Sequence, residues 1–267
     1  MTDYTAITER QQQTWSDGDF ARIGNLAVLH GELLCEAVDL HPGEEVLDVA
    51  SGAGAAAIAA ARRWCEVTAS DFVPHLLESA AKVAECAGLS LRTHVADVQA
   101  LPFADDSFDV VLSTFGAMFA PNQERTADEL VRVCRSGGRI GMCNWAPDSL
   151  IGEVFRVTGR HVPPPAGLRP AIQWGTRERL EELFGDRVSS LRLQVRPYVF
   201  RYRSPEHMLD YFRSWYGPTK VAFETLDDAA AGELSADLLD VYRKYNRAID
   251  GTLVAPSDYA EVVAVVA

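Results

Sequence analysis

Val46-Leu47-Asp48-Val49-Ala50-Ser51-Gly52-Ala53-Gly54 is the stretch on which the reading of this chain turns. Residues 45–49 have the apolar, β-branched character of a buried strand, and Gly52 and Gly54 then turn the chain. Ala55 to Arg63 follows as an alanine-rich helix. A glycine-rich strand-to-helix turn lets a ligand approach the backbone and points free N–H groups at it. Alone, the turn is equally an ordinary tight connection.

Outward from this turn the rhythm repeats. Cys65 to Ser70 reads as a second strand ending at Asp71, and Pro74 suits the first turn of a helix that Gly88 stops. Leu91 to Ala96 predicts a third strand ending at Asp97, and Phe108 to Ser113 a fourth. A helix from Gln123 to Cys134 and a strand from Arg139 to Asn144, after Gly137-Gly138, complete the alternation. Strands alternating with helices imply a parallel sheet covered on both faces. Beyond it, Leu150 to Gly159 and Arg177 to Phe184 predict helices. Val188 to Arg203 predicts a long strand, Ser204 to Ile249 helices with Ser204 as N-cap, and Tyr259 to Val266 a closing strand. The expected fold is α/β: a doubly wound, mostly parallel seven-stranded sheet. Residues 1–43 form a helical extension over the ligand site, 44–146 the binding core, and 147–267 the rest of the sheet with a helical cap at about 204–250.

Composition narrows the function. The 267 residues suit one large domain, and 48% hydrophobic with 24% charged residues is ordinary for a globular chain. A net charge of −13 argues against nucleic acid as partner, so a small molecule is expected. No apolar run of 18 residues occurs, so no membrane span is expected, nor does the N-terminus read as a secretory signal. Cys35, Cys65, Cys86, Cys134 and Cys143 lack paired spacing, which suggests reduced thiols in a cytoplasmic protein. No His/Cys/Asp/Glu group has metal-ligand spacing, so no metal is expected. A monomer and a homodimer both remain open.

Gly52-x-Gly54-x-x-Ala57, with Asp71 downstream, also fits a dinucleotide fingerprint, so an NAD-dependent oxidoreductase is a rival on this motif. Three features separate the readings. Asp48 puts a carboxylate inside an apolar strand, a cost that a dinucleotide fold does not require but a cationic amino-acid ligand would offset. Asp97 is followed by a distinctive run to Asp109. Asp48, Asp71 and Asp97 lie in or at the ends of successive strands, 23 and 26 residues apart, and converge on the carboxyl-end crevice. Singly, Asp71 could be a helix cap and Asp97 a turn residue; together they favour a cofactor site.

Val46 to Gly54 resembles the first motif of Rossmann-like S-adenosylmethionine-dependent methyltransferases. Asp97 to Asp109, with Leu101-Pro102-Phe103, resembles the ubiquinone/menaquinone-biosynthesis-like branch, and Glu129 to Gly138 is similar to its helix-to-strand element. The likeness covers residues 44–146. It implies that Gly52 and Gly54 face the methionine and ribose portions of S-adenosylmethionine, and that Asp48 orients the loop or meets the ammonium through water. Asp71 would accept the ribose hydroxyls, Phe72 would lie on the adenine, and Asp97 with Val98 would hold the adenine edge. Ser113 and Phe115 would line the methionine end. Ala50 stands where the motif usually has glycine, and Ser136 where proline is usual.

No residue is singled out as catalytic. His30 and His207 are weak general-base candidates, set against the commoner reading as packed or surface histidines; His41, His75, His94 and His161 carry less. Trp15, Phe20, Trp145, Trp174, Tyr211, Trp215 and Tyr216 are expected to wall a pocket for a planar or lipophilic acceptor, against the alternative that late aromatics such as Tyr198, Phe200, Tyr202 and Phe223 simply fill the core. The resemblance implies methyl transfer to a small-molecule acceptor, with S-adenosylhomocysteine as product. A protein that binds the cofactor for a regulatory or non-methylating role is the other alternative.

Overall fold

The computed structural model describes residues 3–267. Seven strands form one sheet in the order β3-β2-β1-β4-β5-β7-β6. They are β1 (Glu45–Val49), β2 (Glu66–Asp71), β3 (Arg92–Val95), β4 (Phe108–Thr114), β5 (Cys134–Trp145), β6 (Val188–Tyr202) and β7 (Leu253–Val266). Pairing is parallel from β3 through β5, whereas β7 runs antiparallel between β5 and β6. Chain order reverses at β1, which pairs β2 on one side and β4 on the other. That switch point is where open α/β sheets bind ligands, beyond the carboxyl ends of the strands.

Among the described residues eleven α-helices surround it: α1 (Tyr4–Ser16), α2 (Phe20–Gly24), α3 (Val28–Ala37), α4 (Ala55–Ala61), α5 (Pro74–Cys86), α6 (Gln123–Val133), α7 (Leu150–His161), α8 (Arg177–Phe184), α9 (Pro205–Trp215), α10 (Gly217–Thr225) and α11 (Asp228–Tyr245). Gly31 lets α3 pack closely on the backbone of α4: a Cβ there would lie 2.6 Å from the Ala55 carbonyl oxygen. α5 buries Leu76, Leu77, Ala80 and Ala84, the i, i+4, i+8 spacing of one face. α9 to α11 occupy the stretch between β6 and β7 and pack on one another.

Several boundaries differ from the sequence reading. β5 begins at Cys134, because that residue leaves α6 with extended backbone angles and pairs with Phe108. Gly137-Gly138 therefore lies within a long register shift of the ladder, not ahead of the strand. β7 begins at Leu253, six residues before the β-branched run, because β6 supplies an antiparallel partner for the whole length. The last helix stops at Tyr245, where Asn246 Oδ1 accepts from the N–H groups of Ala248 and Val254 and organises a loop. Ser136, in place of the usual proline, donates its hydroxyl to the Ala267 carbonyl at 2.8 Å.

Among the described residues no helix is long and apolar enough to cross a membrane, and no cluster of three His, Cys, Asp or Glu side chains is placed to hold a metal ion.

Candidate cofactor and acceptor site

The glycine turn and the acid of the next strand are built as one unit. Ala50 has φ +46° and Gly52 and Gly54 have φ +54° and +81°, so three of five residues lie in the left-handed region. Gly52 N–H donates to Asp71 Oδ2 at 2.8 Å, and Val73 N–H donates to Asp71 Oδ1 at 2.9 Å. Both oxygens keep further lone pairs for a ligand. Burial pushes the Asp71 carboxyl above its usual range, and the backbone N–H groups of Val73 and Gly52 oppose that.

Asp48 is 1% exposed and does not reach the chamber. Its Oδ2 accepts from Ala57 N–H at 2.9 Å, tying β1 to the first turn of α4, while Oδ1 has no partner. Burial, with the nearby Asp71 charge adding to it, pushes its carboxyl up to about 7 against the Ala57 hydrogen bond. Of the two roles expected for Asp48, holding the loop is the one its observed contact serves.

At the end of β3, Asp97 is clasped by Gln99. The Gln99 backbone N–H donates to Asp97 Oδ1 and its side-chain amide to Oδ2, both at 2.9 Å, and the same amide donates to Thr8 of α1 at 3.0 Å. The following loop is clamped to α6. Buried Glu129 accepts from Leu101 N–H at 2.7 Å, and Arg132 donates to the Leu101 and Phe103 carbonyls at 2.9 and 2.8 Å. The Leu101-Pro102-Phe103 run is thus a strut behind Asp97, not a ligand contact of its own.

These ends open into one chamber of about 490 Å³. At its polar end lie Asp71, Phe72, Asp97, Val98 and Gln99, with Ala50, Ser51 and Gly52 of the turn. The buried hydroxyls of Ser51 and Thr114 have no hydrogen-bond partner. Such orphaned donors are costly unless a ligand or water meets them. The turn also leaves bare backbone, since a Cβ at Gly52 would lie 2.9 Å from the Phe20 ring.

At the apolar end Trp15, Phe20, Trp145, Tyr198 and Tyr216 share the chamber with Phe119 and with Ile151, Val154 and Phe155 of α7. The i, i+3, i+4 spacing of those three α7 residues was the available signal for a wall that the sequence reading missed. Gln99, Ser51 and Thr114 carried no motif of their own.

Several expected site residues lie elsewhere. Ser113 is buried in a structural role, donating to the Val49 carbonyl at 3.2 Å and accepting from Ala117 N–H at 2.9 Å. Gly54 faces α5, where a Cβ would meet Ala80 at 2.8 Å. Phe115 does line the chamber, at φ +57° and stacked on Trp145 with ring centres 4.1 Å apart. Trp174 is fully buried beside Phe184, a core residue. Trp215 lies outside, with the Arg22 guanidinium 4.1 Å over its ring, and Tyr211 donates to the Arg22 carbonyl. The two histidines also miss the chamber. His30 stacks on Tyr198 at 4.0 Å on the far side of the wall, and burial pushes its imidazole down to about 4. His207 Nδ1 accepts from Arg203 N–H at the head of α9.

Comparison with known proteins places this geometry in a class. A family model described as a methyltransferase domain matches residues 47–142, from β1 to β5. An uncharacterized protein of Mycobacterium tuberculosis is 40% identical over 257 residues, covering 92% of this chain and 93% of the relative. A demethylmenaquinone methyltransferase of Deinococcus radiodurans is 37% identical over 131 residues, 48% of this chain and 54% of that one. Among solved structures, a putative methyltransferase from Bacillus halodurans matches with a TM-score of 0.61 at 23% identity, over 87% of this chain and 96% of the other.

The class is that of Rossmann-like methyltransferases, enzymes whose cofactor is S-adenosylmethionine. Within it, residues 47–142 carry the methyltransferase domain, and the whole chain belongs to one family with the mycobacterial relative that it matches over nearly its whole length.

Proposed function

We propose that this protein transfers the methyl group of S-adenosylmethionine to an apolar small molecule bound in the same chamber. One observation carries the reading: the carboxylate-bearing end and the aromatic end are a single continuous cavity of about 490 Å³. That volume is in the range of sites that enclose a small ligand.

At the polar end, Asp71 would accept the ribose hydroxyls while holding the Gly52 turn, and Asp97 with Val98 would take the adenine edge beside Phe72. Ser51 and Thr114, whose hydroxyls lack partners, would serve the methionine portion. The residues therefore fit the cofactor's mixed needs of carboxylate acceptors, bare backbone and neutral hydroxyls. When bound, the cofactor supplies an electrophilic methyl carbon on a sulfonium. The chain's task is to align an acceptor and exclude water, and alignment alone can contribute ~7–11 kcal/mol. α1 and α2 close one side through Trp15 and Phe20, and α9 with its junction to α10 another through Phe212 and Tyr216. In this reading residues 1–43 and the 204–250 segment form the cover, and the enzyme is a cytoplasmic one that does not act on nucleic acid.

The test is release of S-adenosylhomocysteine by the purified protein with a panel of aromatic metabolites. Turnover with at least one apolar member is expected. Tight cofactor binding with no turnover across the panel would favour a regulatory or non-methylating role.

A further inference from the structure

Among the described residues, no side chain lining the acceptor end is a general base. Among the described residues no histidine, lysine, arginine, cysteine or glutamate lines the chamber, and the only carboxylates there, Asp71 and Asp97, stand at the polar end. The two phenols offer no substitute. Tyr198 donates its hydrogen to the Leu26 carbonyl at 2.6 Å, and burial pushes the Tyr198 and Tyr216 phenols above their ordinary value.

This inventory restricts the acceptor, given that the protein is a methyltransferase acting on an apolar molecule. An alcohol, a protonated amine or a C–H nucleophile must shed a proton before or as it attacks, and no side chain lining the acceptor end among the described residues receives it. A carboxylate or thiolate needs no base, but it enters as an anion where no lysine or arginine can pair with it. What remains is a neutral nucleophile that attacks through a lone pair without first losing a proton, so that its product is a cation.

The aromatic residues point the same way. Trp15 is ringed by Phe119 at 5.2 Å, Phe20 at 5.4 Å and Tyr216 at 5.5 Å, at interplanar angles of 60°, 84° and 79°. All four line the chamber, and Phe20 lies over Gly52 at the boundary between the two ends. The face of an aromatic ring attracts a cation that lies within about 6 Å of its centre, most strongly for tryptophan. Among the described residues the protein provides no cation of its own here: Arg22 sits on Trp215 outside, and Lys220 is paired with Asp17.

We propose that the acceptor's attacking atom is a pyridine-like ring nitrogen on a planar apolar body, and that the product is an onium cation held against Trp15, Phe20, Phe119 and Tyr216. The nitrogen lone pair forms the new N–C bond as the C–S bond breaks, and the broken bond's electron pair stays on sulfur. No proton is released, and the single positive charge passes from sulfur to nitrogen within the chamber.

The test is calorimetric binding of three isosteric probes to the protein saturated with S-adenosylhomocysteine: N-methylquinolinium, 1-methylnaphthalene and 1-naphthoate. N-methylquinolinium should bind about tenfold more tightly than 1-methylnaphthalene, with 1-naphthoate weakest. Trp15→Leu should erase most of that preference, read as the ratio of the two affinities within the same variant. Phe119→Leu gives the same readout should Trp15→Leu not fold. Equal or tighter binding of 1-methylnaphthalene or 1-naphthoate, or no binding of any probe, overturns the assignment. Failure of S-adenosylhomocysteine itself to bind would instead remove the methyltransferase reading on which it rests.

Discussion

Gly52 N–H donates to Asp71 Oδ2 at 2.8 Å across nineteen residues of sequence, so the turn after β1 and the acid ending β2 are a single structural unit. Either half alone is ambiguous. Coupled, they fix where backbone N–H groups and a carboxylate face the same ligand. Asp48 supports the unit from behind through Ala57 N–H, and the Gln99 clasp sets Asp97 opposite.

The buried Asp48 gives the fold a pH signature. Its carboxyl sits at about 7 in the folded state against an ordinary value of 3.8. The folded protein therefore holds a proton there that the unfolded chain releases, and stability falls as pH rises from about 4 to about 7. Between pH 5 and 8 the loss is roughly 2–3 kcal/mol. Asp48→Asn, whose amide oxygen still accepts from Ala57, should remove this slope in chemical denaturation. An unchanged slope would contradict the account.

His30 acts with the opposite sign. Its imidazole sits at about 4 against 6.5 when free, so the unfolded chain gains a proton that the folded one refuses. Stability attributable to His30 is lost as pH falls through 6.5 toward 4, by roughly 2 kcal/mol from pH 7 to 5. His30→Phe keeps the stack on Tyr198 and should make the protein relatively more stable at pH 5. Because His30 lies outside the chamber, cofactor affinity at pH 8 should be unaltered. In the wild type the two slopes partly cancel, so each shows clearly only as a difference between variant and parent.

Gly116 marks a close approach behind the turn. A Cβ there would lie 2.3 Å from the Ala50 carbonyl oxygen and 2.8 Å from the Ala50 Cβ, so the Ala50 backbone would have to move. Gly116→Ala should destabilise by ~1–3 kcal/mol and weaken cofactor binding with it. Gly232, in the middle of α11 with nothing near its Cβ position, is the matched control. Gly232→Ala should stabilise by ~0.5–1 kcal/mol in thermal unfolding.

The legible parts of the sequence were those in which one local segment determines the outcome. The strand–turn–helix periodicity placed β1 to β4, and the acids at their ends were readable because the carboxyl edge of a parallel sheet gathers strand-terminal residues. Ser113 misled for a related reason. It lies at the right edge, but its side chain turns inward to join the Val49 carbonyl to Ala117, and the neighbouring Thr114 and Phe115 face the chamber instead. The acceptor wall was the least readable, because it is assembled from α1, α7, β6 and α9, far apart in sequence. Composition there identified aromatic residues without telling Trp145 and Tyr216, which face the chamber, from Trp174 and Trp215, which do not. Ala50 departs from the glycine usual at this position. Its φ of +46° shows how it is accommodated, as an alanine held in left-handed backbone that costs ~1–2 kcal/mol.

The central claim is that the Asp71–Gly52 unit receives S-adenosylmethionine. The most direct measurement is calorimetric titration of S-adenosylhomocysteine and, separately, NADH into the wild type and Asp71→Ala. S-adenosylhomocysteine should bind the wild type at one site, NADH should not, and Asp71→Ala should lose ~1–3 kcal/mol of that affinity through unmet ribose hydroxyls. Unchanged affinity in Asp71→Ala, or binding of NADH in preference to S-adenosylhomocysteine, would contradict the account.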